Sequence, residues 1–101
     1  MTQHQIDTVR RLVHSHFGED ADVWLFGSRV DDSKKGGDYD FLIETSLKQP
    51  DAIIEQKIAL IAELQSAVPF EDEEIDLIVK RRNSSFDIPI YSIAKKDGIK
   101  L

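Results

Sequence analysis

The chain has 101 residues, of which 41% are apolar and 32% charged, so it suits a single compact domain spanning residues 1–101. The absence of cysteine excludes disulfide scaffolds, thiolate metal sites and cysteine nucleophiles, and it fits a reducing, cytoplasmic setting. The net charge of −6 argues against long nucleic acid as a partner. No apolar run approaches the length of a membrane span, and the polar start lacks the hydrophobic segment of a signal peptide.

The first predicted elements are a helix and a short strand. The helix covers Gln3–Phe17, with a capping box formed by Thr2 and Gln5 at its start and Gly18 at its end. Its apolar residues recur every three to four positions and therefore share one face: Ile6, Val9, Leu12, Val13 and Phe17. Residues 21–26 are rich in β-forming side chains and predict a strand that stops before a glycine.

The middle of the chain predicts a loop, a strand and a helix. Residues 28–37 combine serine, aspartate, lysine and glycine, which indicates a loop with one helical turn over 28–32. A strand follows over 38–45, and a helix over 50–67 begins at Pro50. The apolar stripe expected on this helix consists of Ile53, Ile54, Ile58, Ile61 and Leu64, with Lys57 at its margin.

The last third of the chain predicts a turn, a strand and a final helix. An acidic turn over 71–74 precedes a strand over 75–80, and a loop over 81–86 leads to a short helix from residue 87 to Lys96, which Gly98 ends. The basic run at residues 80–82 is interpreted as solvated surface charge. The order α-β-β-α-β-α predicts one layered domain of the α/β or α+β class.

Three aspartates interrupt otherwise apolar strands. Asp38 and Asp40 are two residues apart on one predicted strand, so both carboxylates project from the same face. Asp76 lies on a different strand, which can place a third carboxylate beside them. Clustered carboxylates repel one another unless a cation neutralises them, and hard oxygen ligands favour Mg²⁺ or Mn²⁺. Three acids around such an ion are typical of sites for nucleotidyl transfer.

A Gly-Ser step directly follows the first predicted strand. Gly27 allows the backbone to approach a ligand closely, and the N–H groups after it, including that of Ser28, can hold phosphate oxygens. Arg29 is placed to pair with a phosphate, and Lys34 and Lys35 lie on the loop between this step and the acids. Taken singly, a Gly-Ser turn and a solvent-facing Asp-x-Asp pair are both common. Their conjunction, with a third acid on a later strand, favours a nucleotide site.

A family resemblance rests on three parts of the sequence: residues 25–29 (Leu-Phe-Gly-Ser-Arg), residues 38–41 (Asp-Tyr-Asp-Phe) and Asp76. Together they resemble the DNA polymerase β-like nucleotidyltransferase superfamily, and within it the minimal nucleotidyltransferase (MNT) group. Members of this group are about this short, and they end in a way similar to residues 93–101. The resemblance covers nearly the whole chain and implies a polymerase β-like fold, a small mixed sheet of about three to four strands with helices packed on it.

Carried over to this chain, the resemblance implies a role for each motif residue. Gly27 and Ser28 would hold the triphosphate of ATP, while Asp38 and Asp40 would ligate Mg²⁺ (or Mn²⁺) and Asp76 would complete the site as the third catalytic acid. All three aspartates are therefore expected to be both catalytic residues and metal ligands.

One departure from the group's pattern is Gly37, where a serine usually precedes the first aspartate, and this removes one possible phosphate-binding hydroxyl. The resemblance further implies a partner. MNT proteins are commonly paired with a small helical HEPN protein in a toxin–antitoxin module, and they transfer AMP from ATP to a tyrosine hydroxyl of that toxin. We therefore expect an adenylyltransferase that acts as an antitoxin in a hetero-oligomer. Two alternatives stay open: a non-catalytic module that neutralises its partner by binding alone, and an adenylyltransferase for a small molecule.

Overall fold

The computed structural model describes residues 1–30, 38–71 and 73–101, with the backbone but not the side chain of Ser28. Its helices are α1 (Gln3–Phe17), α2 (Pro50–Ser66) and α3 (Pro89–Asp97), and its strands are β1 (Asp22–Phe26), β2 (Tyr39–Thr45), β3 (Ile75–Arg81) and β4 (Ile99–Lys100). Short 3₁₀ turns cover Gly27–Val30 and Val68–Phe70. The predicted α+β class is therefore confirmed. Within the described ranges, no helix is both long enough and apolar enough to cross a membrane.

The strands form one mixed sheet in the order β3-β2-β1-β4. β2 pairs antiparallel with β1 and parallel with β3, and β4 pairs antiparallel with β1. The parallel pair is joined through α2, because neighbouring parallel strands require a crossover connection. β4 did not follow from the sequence pattern, since two residues are too few to show a periodicity. β3 and β4 are therefore the two edges of the sheet.

One face of the sheet packs against α1 and α2 and encloses the main core. The predicted capping box at the start of α1 is confirmed: the Thr2 N–H donates to Gln5 Oε1 at 2.9 Å, and the Gln5 N–H donates to Thr2 Oγ1 at 3.1 Å. α1 ends at Gly18, as predicted. The fully buried side chains of this core come from both helices and from the sheet: Val9, Val13, Phe17, Val23, Leu25, Phe41, Ile43, Leu60, Leu64, Phe70 and Leu77.

The apolar stripe predicted for α2 is wrong at two positions. Ile54 and Ile58 are 58% and 64% exposed, whereas Leu60, which the prediction omits, is fully buried. The flank of α2 that faces α1 is polar, where His16 Nε2 lies 2.8 Å from Glu63 Oε1. α2 buries Leu60 and Leu64 in the main core, with Ile53 and Ile61 packed against it, so the two isoleucines lie on the side of the helix away from α1.

The opposite face of the sheet packs against α3. A second, smaller core forms here around Leu42, Tyr91 and Ala94, with Trp24 and Ile78 packed against it. α3 ends at Gly98, whose N–H donates to the carbonyl oxygen of Ala94. Asp40 and Asp76 lie on β2 and β3 at one end of this face, next to the smaller core, whereas Asp38 precedes β2, which begins one residue later than predicted.

Candidate functional site

Three rows of side chains cross β1, β2 and β3 on the face that packs against α3. At one end, the strand register pairs Phe26 with Asp40 and Asp40 with Asp76. The middle row consists of Trp24, Leu42 and Ile78, and the row at the other end consists of Asp22, Glu44 and Lys80. Residues in register on neighbouring strands project to the same side of a sheet. Asp40 and Asp76 therefore occupy adjacent positions, as the sequence predicted.

Of the three predicted aspartates, Asp40 is partly buried, whereas Asp38 and Asp76 are exposed. Burial raises the pKa of Asp40 above its ordinary value, and the negative charges of Asp76 and Asp38 raise the pKa further. The structure thus brings Asp38 and Asp76 close enough to Asp40 to repel its negative charge. A nearby cation would relieve this repulsion and favour the ionised form of Asp40.

The chemistry of these side chains fits a hard divalent cation, because carboxylate oxygens are the ligands that Mg²⁺ and Mn²⁺ prefer. In the rotamers of the described side chains, no three His, Asp or Glu groups converge closely enough to hold a metal ion. Asp38 and Asp76 are exposed, however, and exposed side chains change rotamer within nanoseconds. The roles of the three aspartates as metal ligands therefore stay a prediction.

Gly27 packs directly against the Asp40 carboxylate. It follows the last residue of β1 and has a φ of +80°, in the left-handed region that favours glycine. A Cβ at this position would overlap Asp40 Oδ2 and would lie 3.3 Å from Asp40 Cγ. The backbone conformation therefore favours glycine, and a Cβ would force the Asp40 carboxylate to move. Gly27 and Asp40 are therefore in direct contact, although residues 31–37 between them in the sequence lie outside the described ranges.

Arg29 lies on the 3₁₀ turn after Gly27 and contacts the start of β2. Its guanidinium carbon is 4.4 Å from the ring centroid of Tyr39, and its Nη2 donates to Glu73 Oε2 at 2.9 Å. Tyr39 is itself buried and meets Phe70 edge-on in the main core. Neither Tyr39 nor Glu73 was predicted as a site residue, and no local sequence pattern connects Arg29 to either. The nucleotide-binding role of Arg29 stays a prediction.

Several other predicted phosphate contacts concern parts of the chain that the structure does not describe. Lys34, Lys35 and Gly37 lie outside the described residues, and so does the side chain of Ser28. The backbone of Ser28 is described, and it follows Gly27 within the 3₁₀ turn. The proposed roles of these residues therefore stay predictions.

Glu44, at the opposite end of the same face, is the centre of an ion-pair network. Its carboxylate accepts hydrogen bonds from Lys95 Nζ at 2.5 Å and from Arg82 Nε at 3.4 Å, and Lys80 Nζ lies 3.9 Å away. Burial raises the pKa of Glu44, but these hydrogen bonds and charges, with Lys95 first, outweigh burial and hold the pKa below its ordinary value. The interpretation of residues 80–82 as solvated charge is therefore wrong for Lys80 and Arg82. Their partner is far along the chain, so charge patterning alone could not indicate it.

Comparison of the chain with family models, with curated proteins and with solved structures found no match. The three aspartates Asp38, Asp40 and Asp76 are called the acid row below. The functional assignment depends on the geometry of this acid row, on the Gly27–Asp40 contact and on the resemblance of the motifs that contain these residues.

Proposed function

We propose that this chain is a Mg²⁺-dependent nucleotidyltransferase that transfers AMP from ATP to a tyrosine hydroxyl of a helical HEPN-type toxin and so acts as its antitoxin. The observation that carries the proposal is the contact between Gly27 and the Asp40 carboxylate, at the position where the register sets Asp76 beside Asp40. This contact unites a phosphate-binding type of turn with a cluster of carboxylates, and nucleotidyl transfer requires both.

Each residue has a distinct part in the proposed reaction. Asp38, Asp40 and Asp76 would hold the cation, and the backbone that follows Gly27 would hold the triphosphate. Bound Mg²⁺ supplies charge neutralisation on the triphosphate. Asp40 would stay ionised when a positive charge offsets its two acidic neighbours, and Asp76, which is exposed, would accept the proton of the attacking hydroxyl. The hydroxyl oxygen then bonds to the α-phosphorus while pyrophosphate leaves.

The acceptor in this proposal comes from another molecule. Asp38 and Asp76 are both exposed, so the described part of the chain leaves the acid end of the sheet accessible. A tyrosine on the surface of a partner protein could reach the acids from this side. We expect the reaction to take place in the cytoplasm, where ATP and Mg²⁺ are available.

The test is to incubate the purified chain with Mg²⁺, with ATP labelled in its α-phosphate, and with the product of the neighbouring gene, which the proposal expects to be a HEPN-type protein. The expected result is label on a partner tyrosine, and no label with the double variant Asp38→Asn/Asp40→Asn. The matched control, Asp51→Asn/Asp87→Asn, changes two exposed aspartates elsewhere and should label normally. Label that persists in Asp38→Asn/Asp40→Asn would contradict the catalytic assignment. If toxin neutralisation survives without any label, binding alone is the function.

A further inference from the structure

The proposed reaction uses Asp76 of β3 but not the outward-facing backbone groups of this edge strand. Among the described strands, β3 pairs with β2 alone. The Arg82 N–H donates to the Thr45 carbonyl at 2.7 Å, and the Tyr39 N–H donates to the Glu74 carbonyl at 2.9 Å. Even-numbered residues of this segment therefore direct their backbone groups towards β2. The residues whose N–H and C=O groups point outwards from the sheet are Ile75, Leu77, Val79 and Arg81.

Exposed apolar side chains flank this edge. Ile54 and Ile58 lie one helical turn apart on the side of α2 away from α1, and they are 58% and 64% exposed. Ile54 also lines a groove of about 250 Å³ together with Val79 and Arg81 of the edge strand and Phe86 of the following loop. Phe86 is 61% exposed. An edge strand with outward backbone groups and apolar neighbours is a ready surface for pairing with another strand.

We propose that β3 pairs antiparallel with β3 of a second copy of this chain, so that the two sheets join into one across a two-fold axis. A second copy is the expected partner because the residues on the two sides of Ile78 complement one another when two β3 strands run antiparallel. In that register Asp76 of one copy lies opposite Lys80 of the other, and the remaining opposite pairs are Ile75 with Arg81 and Leu77 with Val79. Two-fold symmetry produces each of these pairs twice.

The backbone supports the same register. Ile75 with Arg81 and Leu77 with Val79 carry the outward groups, so they would form the hydrogen-bonded pairs of the antiparallel ladder. The oppositely charged residues fall on a non-hydrogen-bonded pair, where side chains approach more closely. Moving the axis to Asp76 or Lys80 would set like charges opposite each other. Moving it to Leu77 or Val79 would shorten the paired segment. The register centred on Ile78 is therefore the favoured one.

The same arrangement covers the exposed side of α2. This helix packs over β3, and α1 occupies its other flank, where His16 contacts Glu63. Across a two-fold axis at the β3 edge, the two α2 helices would run antiparallel beside each other, with Ile54 and Ile58 of both copies between them. Apolar burial would supply most of the affinity, while the Asp76–Lys80 pairs would set the register. In this register Ile75 of one copy lies beside the groove of the other.

Sedimentation equilibrium of the whole chain, without nucleotide, tests this inference independently of the proposed function. The expected mass is twice 11.5 kDa at micromolar concentration. Ile58→Glu should weaken dimerisation by about tenfold or more, because it would bury a charge between the helices. Ile93→Glu makes the same change at a 49% exposed position on α3 and should leave the dimer intact. A monomer at all concentrations, or a dimer that Ile58→Glu leaves unchanged, would overturn the proposal.

A charge-reversal cycle tests the register. Asp76→Lys and Lys80→Asp should each weaken dimerisation by about tenfold or more, because each sets like charges opposite one another. The double variant Asp76→Lys/Lys80→Asp restores opposite charges and should recover the dimer. Far-ultraviolet circular dichroism checks folding, since Lys80 also lies near Glu44. Folded single variants that dissociate, with a double variant that fails to recover the dimer, would overturn the register.

Discussion

The backbone of Gly27 lies so close to the carboxylate of Asp40 that a Cβ on residue 27 would overlap Asp40 Oδ2. The φ of Gly27 is +80°, so the backbone itself also favours glycine. The contact joins the end of β1 to the start of β2, where the acid row begins. A change at either residue should therefore disturb the other.

The first prediction concerns the substitution Gly27→Ala. The left-handed backbone would cost about 1–2 kcal/mol of folding free energy for a residue with a Cβ, and the new methyl group would displace the Asp40 carboxylate. We expect the affinity for Mg²⁺ and ATP to fall by about 10- to 100-fold, the range seen when the support of a metal ligand is disturbed. Isothermal titration calorimetry measures the affinity, and thermal denaturation measures the stability.

Gly18→Ala is the matched control for this prediction. Gly18 has a φ of +104°, and a Cβ there would lie 3.0 Å from Asp20 Oδ1, at the end of α1 and away from the acid row. This variant should lose stability through the same kind of backbone strain but keep its affinity for ATP. If both variants lost affinity equally, backbone strain rather than the contact with Asp40 would be the cause.

The second prediction is that Asp40→Asn stabilises the ligand-free protein at neutral pH. Burial and the charges of Asp76 and Asp38 raise the pKa of Asp40 above its ordinary value of 3.8. The folded protein therefore binds this proton more tightly than the unfolded chain, and the ionised carboxylate lowers stability above the raised pKa. As the pH falls through that pKa towards 3.8, the free energy of unfolding of the wild type should rise relative to that of the variant.

Urea denaturation at pH 7 and at about pH 4 measures this difference in the free energy of unfolding. Asp40→Asn should be the more stable protein at pH 7, and the gap should narrow at the lower pH. Asp87→Asn, an exposed control, should stay within about 0.5 kcal/mol of the wild type. An Asp40→Asn protein that is less stable than wild type at pH 7 would contradict the repulsion inferred from the acid row.

The third prediction concerns Glu44→Gln, which removes the charge at the centre of the ion-pair network. Hydrogen bonds to charged groups contribute roughly 1.5–3 kcal/mol, so we expect a loss of that order at pH 7. The pKa of Glu44 is held below its ordinary value of 4.5. Its contribution is therefore complete above 4.5 and disappears as the pH falls through the lowered pKa. The difference between wild type and variant should thus shrink in acid, as urea denaturation would measure.

Glu55→Gln provides the control for this third prediction, because Glu55 is an exposed glutamate on α2. It should change the free energy of unfolding by less than about 0.5 kcal/mol at any pH. If Glu44→Gln proved as stable as wild type at pH 7, the network would make no net contribution.

The acid row could be predicted because strand periodicity is a local property. Asp38 and Asp40 are two residues apart in the predicted strand over 38–45, which favours one face for both, although β2 itself begins at Tyr39. Asp76 can lie beside Asp40 only if β2 and β3 are neighbours in the sheet. Neighbouring strands are the expected arrangement for a strand-helix-strand unit. The register that pairs the two residues depends on packing along the whole β2–β3 pair, so the sequence alone does not determine this register.

Other features depend on tertiary packing and could not be predicted. Arg29 and Glu73 are 44 residues apart, and no pattern links them. β4 is too short to show a periodicity, so it was identified only through its pairing with β1. The apolar positions of α2 are too numerous for one stripe, and only packing against the rest of the fold determines that Ile54 and Ile58 face outwards.

The central claim, that Gly27 and the three aspartates form a site for a nucleotide and a divalent cation, is tested most directly by one titration. Purified chain is titrated with ATP in the presence and in the absence of Mg²⁺, and the variant Asp40→Asn/Asp76→Asn is treated in the same way. We predict that Mg²⁺ tightens ATP binding to the wild type by about tenfold or more and has no effect on the variant. Equal affinity with and without Mg²⁺ in the wild type, or a Mg²⁺ effect that persists in the variant, would contradict the account.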